Sequence, residues 1–158
     1  MSLDSKTDIY KKGLTDMEKY NRFDLIDSLE LIADTVFLEA SGEGDVGQLA
    51  VAFVIMNRVR KRRRTPQQII LQPYQFSCWN DDYITMANQR LDRATKTIYV
   101  QCMKAACCAL FRLAEDPTMG ADHYLNQSVV MNTQGKLPSW VFKLQYTTQI
   151  GNHWFYKS

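Results

Sequence analysis

The sequence has no stretch that could cross a membrane as a helix. A span needs roughly 18 or more apolar residues in a row, and the longest clearly apolar run here is Leu49–Met56. The opening stretch, MSLDSKTDIYKKGLTDMEKY, also lacks the apolar segment of a secretory signal. Metal-binding patterns are equally scarce. There are two histidines, His123 and His153, and neither His-Glu-x-x-His nor Cys-x-x-Cys occurs. That speaks against zinc chemistry, and the sequence predicts no metal and no cofactor. The four cysteines are Cys78, Cys102, Cys107 and Cys108, three of them on what reads as one helix. This is no disulfide framework, so free thiols are expected. A nucleophilic pair of Cys78 with His123 has no local support. Internal repeats, low-complexity tracts and Gly/Ser linkers are missing too.

What is present describes an ordinary globular chain. Its 158 residues suit one core, and 46% apolar with 23% charged residues is typical. The net charge of +2 is unevenly spread: Arg58, Arg60, Lys61, Arg62, Arg63 and Arg64 supply six of the 19 basic residues. The rest of the chain is mildly acidic. Such a run reads first as a solvated helix end. Phosphate binding to nucleic acid is a weaker reading, because no recognition-helix pattern accompanies the run and no aromatics interleave with it. Between these stands electrostatic attraction to an anionic envelope.

Periodicity organises the chain coarsely. Residues 5–20 read as a short polar helix, an appendage. Residues 24–41 form a helix with Leu25, Leu29, Ile32 and Val36 on one flank, stopped by Gly42 and Gly44. Asp45 is the expected N-cap of the next helix, which runs to about Arg62 and is apolar all round from Leu49 to Met56, as a core helix is. Pro66 opens a short helix through Leu71. Residues 72–81 read as a loop or short strand. A long helix spans about Thr95 to Ala114, with Ile98, Cys102, Ala105, Ala109 and Leu113 facing inward. Beyond Pro117, Leu144–Ile150 and Asn152–Tyr156 read as two strands joined at Gly151. The class is α+β, helices first and a small sheet at the end.

The chemistry concentrates in Glu39-Ala40-Ser41-Gly42-Glu43. Counting back from Glu39 by three, four and seven gives Val36, Thr35 and Ile32, so Glu39 lies on a mostly apolar face at a helix end. Desolvation there disfavours the ionised form, which is the condition a general acid needs. Glu43 lies four residues on and is a candidate second carboxylate. The competing reading is a helix-end glutamate bonded to backbone.

This box is followed in order by Asn57-Arg58-Val59, Gln75-Phe76-Ser77 with Trp79, Asp116-Pro117-Thr118, His123-Tyr124-Leu125-Asn126, Pro138-Ser139-Trp140 and Ile150-Gly151-Asn152-His153-Trp154-Phe155-Tyr156. Together, over about residues 31–158, they resemble the cell-wall hydrolase family of the bacterial spore-cortex-lytic enzymes, the SleB type. Ser41, Asp122 and Leu125 depart from that family's usual arginine, threonine and tyrosine, and bear on fine substrate preference.

The resemblance implies a mainly helical, lysozyme-like core of lytic transglycosylase type with a small antiparallel β lobe. That domain would fill residues 24–158, behind an N-terminal extension over 1–23. It implies cleavage of peptidoglycan between N-acetylmuramic acid and N-acetylglucosamine, with Glu39 as the catalytic acid and base and Glu43 in support. A hydrolytic muramidase is the alternative product chemistry. Gln75, Ser77, Trp79, His123, Tyr124 and Asn126 are the expected substrate contacts, with Trp79 and Tyr124 able to stack on sugar faces. Peptidoglycan is the expected partner of a monomer. The expected setting is a bacteriophage endolysin made in the host cytoplasm and released through a separate membrane pore, or else a virion-carried lysin.

Overall fold

The computed structural model describes residues 22–158. The expected helix over 5–20 lies outside the described residues, as does nearly all of the extension over 1–23.

Helix α1, Arg22–Ala40, buries Ile32 and Val36 completely and half-buries Leu25 and Leu29, the flank its spacing marks out. Helix α2, Gly44–Arg62, follows at once. Its cap differs from the expectation. Glu43 holds the N-cap position without a side-chain cap bond, and Asp45 stands in the first turn. There its charge faces the positive end of the helix dipole. Val51, Ala52, Val54 and Ile55 are fully buried, so α2 is the central helix. It ends where Arg63 turns left-handed, φ 53°.

Helix α3, Pro66–Ile70, is fixed by a capping box between Thr65 and Gln68. The next stretch forms turns and a 3-10 turn at Ser77–Trp79, and no strand. Helix α4, Ile84–Asp92, was not expected: it is short, and of its nine residues only Ala87 is buried. Helix α5, Lys96–Leu110, stops earlier than its pattern suggests. Arg112 turns left-handed, φ 54°, and Leu113 is 52% exposed instead of facing the core. Cys102, Ala105 and Ala109 do face inward, and their small size lets α5 lie close against α1 and α2.

The remainder builds a three-stranded antiparallel sheet in the order β1-β3-β2, from β1 His123–Asn126, β2 Gln145–Ile150 and β3 His153–Lys157. Helix α6, Gln127–Gln134, and a 3-10 turn at Ser139–Phe142 join β1 to β2. The class is therefore α+β, mainly helical with a small antiparallel sheet, as the sequence indicates. No helix among the described residues is long and apolar enough to cross a membrane.

Two apolar clusters meet in this fold. The larger joins α1, α2 and α5 through residues such as Val36, Ile55 and Ala106. The smaller sets Ala50 and Val54 of α2 against Ala121 and Phe155. Tyr124 packs on both, and so ties the sheet to the helices beside the end of α1.

Candidate active site

Glu39 is the penultimate residue of α1 and half-buried. The helix ends there because a glycine-containing turn follows, which leaves the carboxyl at a helix terminus instead of inside a packed rod. A cleft of about 240 Å³ reaches it. It is lined by Leu38 and Glu39 of α1, by Ser77, Cys78 and Tyr83, and by Met86, Ala87 and Arg90 of α4. From β1, the Tyr124 hydroxyl donates to Glu39 Oε2 at 2.9 Å. Burial, followed by the neighbouring Glu39 charge, holds the Tyr124 hydroxyl well above the usual phenol range, so it acts as a fixed donor. Burial likewise pushes the Cys78 thiol far up, and the adjacent Glu39 adds to this. Cys78 is therefore a protonated neighbour and not a nucleophile.

Glu43 is placed differently. Its two carboxylate oxygens accept from the Asn152 backbone N–H at 3.0 Å and from Asn152 Nδ2 at 3.2 Å. Partial burial opposes its charge, but these two bonds and the nearby His153 outweigh it, and the carboxyl is held below its usual range. The close approach depends on glycine. A methyl group on Gly47 or Gly151 would collide with the Glu43 side chain, and Gly151 also turns left-handed, φ 56°.

His153 pairs with Asn126 in the sheet and packs edge-on against the Tyr124 ring, with centroids 5.0 Å apart. Burial lowers its pKa from the usual value, while Glu43 and Glu39 pull the other way. Its Nδ1 is buried without a partner among the described residues.

The structure brings Glu39, Ser77 and Tyr124 of the expected residues together. The others make contacts of their own. Gln75 is contacted by Arg62 at 3.3 Å. Trp79 packs against the helical core with its ring N–H on Thr35 Oγ1 at 2.9 Å. His123 has its Nδ1 on Asp122 at 2.9 Å and its ring against Trp140. Asn126 caps α6 by accepting from the Val129 backbone N–H. The residues that sequence reasoning missed are Tyr83, Met86 and Arg90 on α4, Cys78, and His153. His153 stood in a quoted box, and a polar residue in an otherwise apolar strand was the signal available.

The basic run needs correcting as well. It is not one surface patch. Arg58 is buried, its Nε donates to the Asp122 carbonyl at 2.6 Å, and its guanidinium lies 5.0 Å over the Phe76 ring. Arg60 donates to the Ala109 carbonyl at 2.9 Å. Lys61 pairs with Asp122 at 2.9 Å. Lys61, Arg62, Arg63 and Arg64 remain as an exposed group at the helix end. Within the helix, Arg58, Arg60, Lys61 and Arg62 point in different directions around its axis, and Arg58 falls on the side that meets the core.

The domain is mainly helical, with one carboxyl at the end of a core helix, hydrogen-bonded by a strand tyrosine and lining a cleft. The chain belongs to the cell wall hydrolase family, whose model matches residues 42–156. It is 31% identical over 129 residues to a spore cortex-lytic enzyme of Halalkalibacterium halodurans, a match that takes in 80% of this chain and 34% of that protein. The chain thus spans about a third of the length of that relative. Its fold is that of the catalytic domain of SleB, a germination-specific lytic transglycosylase of Bacillus anthracis, with TM-score 0.61, 27% identity, and coverage of 87% of this chain and 97% of the other. The catalytic domain of Bacillus cereus SleB matches at the same score and identity, over 82% and 89%.

Proposed function

We propose that this chain cuts the glycan strands of peptidoglycan at the muramic acid–glucosamine bond, as a lytic transglycosylase with Glu39 as its acid and base. The observation that carries this is the single available carboxyl at the cleft. Glu39 lines it, whereas both oxygens of Glu43 are engaged by Asn152. Hydrolytic glycosidases ordinarily need two carboxyl groups, one to protonate the leaving oxygen and one to act as nucleophile or to activate water. A transglycosylase needs one. Glu39 gives its proton to the glycosidic oxygen as that bond breaks. The resulting carboxylate, held by the Tyr124 hydroxyl, then accepts the proton of the muramic 6-hydroxyl as its oxygen bonds to the anomeric carbon. The 1,6-anhydro ring closes, Glu39 is again protonated, and no water is consumed.

Digestion of purified peptidoglycan followed by mass spectrometry tests this. Anhydro ends are expected, one water lighter than reducing ends. Reducing ends would replace the reading with that of a muramidase. Glu39→Gln in a folded protein is expected to lower the rate at least about a thousandfold, within the range that acid/base catalysis supplies. Retained lysis would remove Glu39 from the mechanism.

A further inference from the structure

The cleft that holds Glu39 carries one other charged side chain, Arg90. Arg90 comes from α4 and lines the same cleft as Glu39. Its Nη1 donates to the Leu38 carbonyl at 3.1 Å. Leu38 immediately precedes Glu39, and its carbonyl lies in the last turn of α1, where helix geometry leaves carbonyls without intrahelical donors. The bond therefore fixes the guanidinium at the mouth of the site. It spends one of five N–H donors. Arg90 makes no ion pair with any described carboxylate, Glu39 included. A guanidinium stays protonated at any pH the protein meets, and its planar fork matches a carboxylate. Beside it stand Tyr83, 50% exposed, and Met86, 59% exposed, which give the same wall an apolar surface.

We infer that Arg90 and this wall form a carboxylate-binding subsite that selects glycan strands by the acid groups they carry. The inference rests on the proposed function and deepens it. Every muramic residue of a peptidoglycan strand bears a 3-O-lactyl group. Where a stem peptide is attached, the acid groups are those of the peptide. Where it has been removed, the lactyl carboxylate itself is free. A plain acetylglucosamine polymer offers neither. Arg90 would thus hold the strand in register so that a muramic unit, and not a glucosamine, stands at Glu39.

The test measures kcat and KM on four substrates: strands with native stems, the same strands with carboxyls amidated by carbodiimide and ammonia, strands stripped of stems by an amidase, and stripped strands then amidated. For the wild type, amidation of native strands is expected to raise KM about tenfold, the size of one charge-assisted hydrogen-bond pair. Arg90→Gln should show the raised KM on native and amidated strands alike, and Arg90→Lys should keep part of the discrimination. If stripped strands retain the dependence on Arg90, the lactyl carboxylate is the ligand; if they lose it, the stem acids are. Arg90→Gln with kcat lowered equally on every substrate and discrimination intact would mean that Arg90 only braces Leu38, which overturns the inference. So would an active wild type indifferent to amidation. A wild type inert on all four substrates overturns the proposed function itself, and this subsite with it.

Discussion

The Tyr124 hydroxyl donates to Glu39 Oε2 across 2.9 Å, joining the first strand of the sheet to the end of the first helix. The two residues are 85 apart in sequence. The bond has no local origin and exists only once sheet and helices are packed. Tyr124→Phe keeps the ring, and with it the packing against His153 and Phe155, but deletes the donor. Losing a hydrogen bond to a charged group costs about 1.5–3 kcal/mol. The expected outcome is a fall in kcat of roughly ten- to a hundredfold with a small change in melting temperature, measured by turbidity clearance of purified walls beside a thermal melt. Unchanged kcat would show that the bond does not orient the acid.

His153 gives a pH dependence of stability. Its folded pKa lies below the usual value because burial disfavours the imidazolium, despite the pull of Glu43 and Glu39. The unfolded chain therefore binds the proton more readily than the folded one, and stability falls as pH drops below the unfolded value of about 6.5. The loss stops at the folded pKa. The groups facing the ring are Glu39, Glu43 and Tyr124. His153→Phe should flatten this slope between pH 7.5 and 5, as measured by urea unfolding at both ends. An unaltered slope would place the proton uptake elsewhere.

Trp79 decides between packing and sugar contact. With its ring N–H on Thr35 and its body against the helical core, Trp79→Phe should lower stability by about 1–3 kcal/mol through the lost hydrogen bond and lost volume. KM should hardly move. A several-fold rise in KM with unchanged stability would return Trp79 to the substrate groove.

The parts of the fold that were legible in the sequence are those whose burial is regular. The stripe Ile32–Val36 and the all-apolar Leu49–Met56 are core helices because several turns repeat one requirement. The β2–β3 hairpin shows through the turn at Gly151 and its flanking strands. Helix α4 was not legible because it is short: Ile84, Ala87 and Leu91 fall at helical spacing, but nine residues repeat it too few times to stand out. With it went Met86, Ala87 and Arg90, three of the eight residues that line the cleft. Arg58 misled because a run of cations signals solvent, while burial over Phe76 is decided by where the helix face falls. Asn126 has a structural task that its spacing does not announce: its side-chain oxygen starts α6. The placement of Glu39 at the cleft was foreshadowed by a carboxyl on an apolar helix face beside a glycine break.

The division of the interior into two clusters sets an order of assembly. The buried members of the larger all lie between Ile32 and Leu110, whereas the smaller needs α2 to find Ala121 and Phe155. Contacts close in sequence form sooner, because less chain entropy is lost in closing them. Amide protection in α1, α2 and α5 should then precede that in the sheet during refolding, as read by pulsed hydrogen exchange; simultaneous protection would contradict this. Until the sheet docks, the acid has its helix but not its tyrosine. A half-made copy of this protein would thus hold its proton donor unaimed, and lytic power would arrive as the last contact of folding.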